Sequence, residues 1–161
     1  MQGDAKVIDY LNKALRHELT AINQYWLHYR FLDNWGLLDM AKVWRKESIE
    51  EMEHADKLTA RILFFDGFPN MQVLDPLRIG QNVKEIIECD LAAEMSARAL
   101  YQEAATYCHG VKDYVTRDLF EKLAVARLDL QLQQALRRRA EARLEQSDRR
   151  KRKHQDKERE E

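Results

Sequence analysis

Apolar residues recur along the chain at helical steps. Val7, Ile8, Leu11, Leu15, Leu19, Ile22, Trp26 and Tyr29 follow at mostly three- and four-residue intervals, which predicts an amphipathic first helix. Asp4 stands where a capping side chain is wanted, and the helix should end near Asn34 to Gly36. A second helical pattern runs from about Leu37 to Phe65 and stops at Asp66, Gly67 and Pro69. A third runs from about Val83 to Cys108 and ends at Gly110, and a fourth begins near Asp113.

Residues 66 to about 82 contain both prolines and two glycines, so they form a loop. Loops between bundle helices usually have about 2–8 residues, so this longer one is expected to cross the length of the bundle. Two short connections around one long crossover describe an all-α, ferritin-like four-helix bundle, placed at residues 1–136. From residue 137 the chain reads RRRAEARLEQSDRRKRKHQDKEREE, with Leu144 as its one large aliphatic. That segment has almost nothing to bury, so residues 137–161 are expected to extend the fourth helix into a charged helical or disordered tail.

Composition narrows the function classes. The 161 residues are 45% hydrophobic and 34% charged, with five Gly and two Pro, as suits one mostly helical domain with a real core. A net charge of -1 gives no overall pull toward nucleic acid or an acidic membrane. Basic and acidic residues are mixed in the tail, which weakens a nucleic-acid reading there. Cys89 and Cys108 are too few for a disulfide framework. The start, MQGDAKVIDY, lacks the apolar segment of a signal peptide, and no run is long enough to span a membrane. The expectation is a cytoplasmic protein.

The candidate chemistry lies on the inward stripes. Glu51 and His54 are three residues apart, hence one turn apart on one helical face, and both can reach a single metal. Glu47, Leu58 and Ile62 lie on or near that face. Glu18 falls between Leu15, Leu19 and Ile22, and Glu94 among Leu91, Met95 and Leu100. Buried carboxylates are paired or bind metal. Three of them with an imidazole suit iron, manganese or zinc. Tyr25, seven residues from Glu18 and on its face, is placed to hydrogen-bond the ligands or to act as a nearby redox group, or else is an ordinary core tyrosine. His28 is a plausible neighbour on the same side, whereas His17 and His109 read as surface or helix-end residues. Met52 follows Glu51 by one residue and so points about 100° away, out of the bundle core. It either packs at a dimer interface or offers a thioether as an axial haem ligand.

The stretches MQGDAKVIDYLN, ELTAINQYWLHYR, ESIEEMEHADK with RILFFDGFPN, LDPLRIGQNVKE, ECDLAAE and DYVTRDLFEKL closely resemble bacterioferritin over about residues 1 to 123. The resemblance implies a shell of twenty-four subunits, assembled through two-fold dimers, that stores ferric mineral. It also implies a ferroxidase centre at which two ferrous ions reduce oxygen or peroxide. By position, Glu18, Glu51 and His54 would hold the first iron, with Glu51 bridging and Glu94 serving the second. Met52 would ligate a haem b shared across a two-fold axis.

After Leu123 the chain departs from that pattern. The family's fourth helix supplies a bridging Glu and, three residues on, a His; aligned without gaps, Arg127 and Leu130 stand there. The next glutamate after Glu121 is Glu141, and the one later histidine is His154. The family's short apolar fifth helix has no counterpart. Two explanations follow. Arg127 points inward as a fixed cation near Glu94 or Glu51, with Leu130 extending a stripe of Leu119, Leu123 and Ala126; or the segment after Leu123 is a frameshift, fusion or redesign. The functional expectation is a bacterioferritin-type iron-storage subunit with ferroxidase activity and a degraded second iron site. The alternative is a ferroxidase-impaired, haem-binding shell subunit that co-assembles with an active one.

Overall fold

The computed structural model describes residues 2–127 of the chain, and in it four helices pack around a core that a charged layer cuts in two. The first, α1 (Ala5–Asn34), starts where Asp4 Oδ1 accepts the amides of Lys6 and Val7 at 2.9 and 3.0 Å. It ends at Gly36, whose φ of +78° a side chain would resist, and the Leu37 amide turns back to the carbonyl of Leu32 at 2.9 Å. The second helix, α2 (Leu38–Phe64), returns alongside α1. The third, α3 (Val83–Gly110), is capped by Asn82, whose side chain accepts the amide of Glu85. A fourth helix, α4, covers residues 114–127. Its first turn is set by Asp113, which accepts the amide of Thr116 at 3.1 Å and pairs with Arg61 of α2 at 2.9 Å. Among the described residues there is no strand.

Packing fixes the direction of each helix. One apolar cluster joins Val7, Leu11 and Leu15 of α1 to Leu58 and Ile62 of α2, Tyr101, Ala104 and Cys108 of α3, and Phe120 and Leu123 of α4. A second joins Ala21, Tyr25 and Leu32 to Ala41 and Trp44, and to Ile86 and Ile87. The beginning of α3 thus lies beside the beginning of α2, so the two run parallel. A parallel pair needs a connection as long as the bundle, which is what residues 66–82 provide. The ferritin-like arrangement expected from the loop lengths is the one observed.

The crossover is stitched to α1 by side chains one turn apart. Thr20, Gln24 and His28 accept the amides of Asp75, Arg78 and Gly80 at 2.9, 2.9 and 3.1 Å. Gly80 must be glycine, because a Cβ there would lie 2.2 Å from the backbone nitrogen of Ile86. Asp90 of α3 anchors the stitching. It is buried and accepts from Gln24 Nε2 at 2.7 Å, from Trp44 Nε1 at 2.7 Å and from His28 Nδ1 at 2.9 Å.

Several expectations need correction. Trp26 is 41% exposed and leaves the buried stripe of α1, sitting edge-on to Tyr29 instead. Met95 is exposed rather than beside Glu94 on the inward face. The inner stripe of α4 is Thr116, Phe120, Leu123, Ala124 and Arg127, with Leu119 and Ala126 at its margin. Leu130, the boundary at residue 136 and the charged tail lie outside the described residues.

Candidate metal centre

Glu18, Glu51 and Glu94 lie at the depth where the two apolar clusters meet. Each sits on its helix between residues of one cluster and residues of the other. All three are buried, and the helical repeat aims them at one point. His54, one turn past Glu51, brings Nδ1 to 2.9 Å from Glu51 Oε2 and 3.8 Å from Glu18 Oε2. The Tyr25 hydroxyl donates to Glu94. The five groups that the sequence placed on inward stripes therefore meet in one cluster.

The centre of that cluster is Arg127, only 2% exposed. Its Nη1 donates to Glu51 Oε1 at 2.7 Å and to Glu94 Oε1 and Oε2 at 2.7 and 2.9 Å. Its Nη2 donates to Glu18. Of the two explanations for the break after Leu123, the inward-pointing cation describes the position of Arg127. Sequence reasoning missed Tyr101, whose hydroxyl donates to Glu18 and whose ring centre lies 6.0 Å from the Arg127 guanidinium carbon. Tyr101 is seven residues beyond Glu94 on the same stripe, the spacing that singled out Tyr25 after Glu18, so the signal was present.

The electrostatics follow from burial and from Arg127. Burial pushes Glu51 and Glu94 up to about 7, against the pull of the guanidinium. Burial acts on Glu18 as well, but the Arg127 guanidinium, with His54 and Glu51 close by, outweighs it and holds Glu18 well below the usual carboxylate range. Burial would lower His54, yet the neighbouring carboxyls of Glu18 and Glu51 raise it to about 9. The layer thus sets an ionised Glu18 beside the Arg127 and His54 cations, with Glu51 and Glu94 holding their protons more tightly than ordinary carboxyls do.

Glu18, Glu51 and His54 each offer a ligand atom within 4.8 Å of one another, a span that suits one cation. Glu94 stands apart from that trio, with both oxygens turned to Arg127. Those donor types suit a divalent ion, and in this arrangement the oxygens of Glu18 and Glu51 are engaged by Arg127, Tyr101 and His54. Openings on two sides reach Arg127. One, of about 250 Å³, is lined by Glu47, Glu50, Glu53 and His54; the other, of about 490 Å³, lies under the crossover and ends at Glu94 and Arg127.

A ferritin-like domain model matches residues 8–134. Bacterioferritin from Rhodobacter capsulatus is 61% identical over 123 residues, 76% of each chain, and that from Brucella melitensis is 58% identical over the same span. The solved R. capsulatus structure superposes with a TM-score of 0.89 at 53% identity, covering 89% of this chain and 90% of that one. The chain belongs to the bacterioferritins. That family is one of iron-storage subunits, and the R. capsulatus structure has a metal-free dinuclear site and heme iron in a crystallographic special position. In this chain Met52 is 46% exposed on the outer face of α2, away from Glu51. His17 lines the opening under the crossover, His109 is exposed, Cys89 is half-buried and Cys108 is buried. No helix among the described residues is long and apolar enough to cross a membrane.

Proposed function

We propose that this chain is an iron-storage subunit that assembles through two-fold dimers into a bacterioferritin shell. Ferrous iron is its substrate, oxygen or peroxide the oxidant, and ferric mineral the cargo. The observation that carries this reading is the convergence of Glu18, Glu51, His54 and Glu94, with Tyr25, on one buried point inside a ferritin-like bundle. Oxygen and imidazole donors from three helices at that point are what a ferrous ion would meet on entering.

Haem b is the second group the family implies. Met52 would hold the haem iron, because its thioether is exposed and a soft ligand. Arg45 lies two turns away on the same face, stacked 5.9 Å over the ring of Trp26, so the face also offers an aromatic surface and a cation for acidic substituents. One subunit supplies one thioether, so two subunits related by a two-fold axis would complete the site. Bound there, the haem would supply one-electron transfer.

Two readings of the oxidation step differ over Arg127. A full ferroxidase needs the centre to hold iron pairs. A subunit impaired in that step would store iron oxidised elsewhere, in a shell shared with a competent bacterioferritin. The bonds from Arg127 to all three carboxylates favour the impaired subunit. The test is to add Fe(II) anaerobically to the full chain, admit air, and follow ferric absorbance and the iron that elutes with the protein. Slow oxidation with iron retained in the shell fraction is expected. Rapid oxidation of two irons per subunit would sink the impaired reading, and no retained iron would sink storage itself.

A further inference from the structure

Six carboxylate oxygens face the centre of the bundle, and each already has a donor. Glu18 accepts from Tyr101 on one oxygen and from Arg127 on the other. Glu51 accepts from Arg127 on Oε1 and lies 2.9 Å from His54 Nδ1 on Oε2. Glu94 accepts from Tyr25 and Arg127 on Oε1 and from Arg127 on Oε2. A site shaped around an ion would point such oxygens at the ion's place. Here they point at N–H and O–H groups.

We propose that Arg127 is a built-in cation: its guanidinium replaces metal in balancing Glu18, Glu51 and Glu94, and keeps divalent ions out of the cluster. The inference rests on the reading of this cluster as the iron-handling site. Three features carry it. The guanidinium comes from α4, which supplies none of the three carboxylates, so it ties the fourth helix to the other three as a shared ion would. It cannot shed its charge, because arginine stays protonated in proteins. Its orientation is set by the carboxylates: Nη1 and Nη2 make every bond, while the buried Nε has no acceptor among the described residues. An incoming ion must break the four Arg127 bonds and then sit beside a fixed positive charge that has nowhere to go.

Cobalt(II) is the probe, because its visible bands report the ligands and it needs no turnover. The full chain, Arg127→Gln, Arg127→Gln/His54→Ala and His54→Ala are titrated with cobalt(II) chloride, with circular dichroism confirming the helices. The expected result is at least tenfold tighter binding to Arg127→Gln than to the parent chain, with new visible bands that His54→Ala removes. Equal binding by parent and Arg127→Gln, lost from both on adding His54→Ala, overturns the built-in cation and leaves the site reading intact. A gain in Arg127→Gln that survives His54→Ala places the metal elsewhere and overturns both. If three uncompensated carboxylates prevent Arg127→Gln from folding, Arg127→Gln/Glu94→Gln removes one of them and keeps Glu18, Glu51 and His54. Cobalt binding by that double variant supports the inference, and failure to bind overturns it.

Discussion

Asp90→Ala tests how the crossover is held in place over the opening to the cluster. The carboxylate is fully buried and receives three donors: Gln24 Nε2 at 2.7 Å, Trp44 Nε1 at 2.7 Å and His28 Nδ1 at 2.9 Å. Removing it strands those donors, each at a cost of about 1–3 kcal/mol. Part of the sum is returned, because the desolvation of a buried carboxylate is no longer required. The net loss should be about 3–5 kcal/mol, the lower half of a gross cost of about 3–9 kcal/mol for three stranded donors. At roughly 2–4 °C per kcal/mol for a chain of this size, the melting temperature should fall by about 10 °C. The loss should also be local. Asp90 fixes the Gln24 amide so that its oxygen faces the Arg78 amide, and fixes His28 so that Nε2 accepts from Gly80. Thr20 holds the Asp75 amide without help from Asp90. Amide exchange should therefore rise at Arg78 and Gly80 and stay unchanged at Asp75. Urea unfolding with both proteins in one oligomeric state, together with exchange read by mass spectrometry or NMR, measures both effects. A loss below about 1 kcal/mol, or unchanged protection at Gly80, would refute the reasoning.

Two other perturbations test separate parts of the molecule. Met52→Leu keeps the volume and apolarity of the side chain but removes the sulfur, so the protein should assemble normally and lack a bis-thioether haem spectrum; an unaltered spectrum excludes Met52 as the ligand. The charged layer sets an unusual pH dependence for the metal-free protein. Glu51 and Glu94 rise from an ordinary 4.5 to about 7, and His54 from 6.5 to about 9, so the folded state binds the extra protons across that range. Stability should accordingly fall as pH rises from about 5 to about 9. Glu18 works the other way, since its depressed folded value stabilises the protein above about 4.5 and that contribution is lost on further acidification. Urea midpoints measured with chelator between pH 4 and 9 should peak near pH 5, and a midpoint that climbs from pH 5 to 8 would contradict the assignment.

The sequence made the frame legible because bundle architecture depends on period and loop length. Breakers at Asp66, Gly67 and Pro69 marked one end of the crossover, and its length announced that α2 and α3 run parallel. The inward positions of Glu18, Glu51, His54, Glu94 and Tyr25 followed from helical spacing alone. Periodicity was less informative where one side chain can face either way. Trp26 fits the apolar stripe by spacing but lies on the seam between helices, where its ring covers Arg45 instead of entering the core. The Asp90 network was illegible for a different reason. Its members come from α1, α2, α3 and the crossover, and no spacing within one segment signals a bond among Gln24, His28, Trp44 and Gly80.

Arg127 separates two roles that a bound ion combines. An ion at the centre of this bundle would neutralise the acidic groups and also exchange electrons. A guanidinium can do only the first. Two unit charges about 4 Å apart attract by about 4 kcal/mol at an effective dielectric of 20, and Arg127 meets three carboxyls at hydrogen-bonding distance. Those attractions, with the hydroxyls of Tyr25 and Tyr101, are set against the cost of burying the acids. A divalent ion at that distance from the same guanidinium would be repelled by about 8 kcal/mol at that dielectric, which offsets the attraction of one carboxylate for it. On the proposed reading, the side chain that balances the three acids without metal is therefore also the one that opposes a divalent ion.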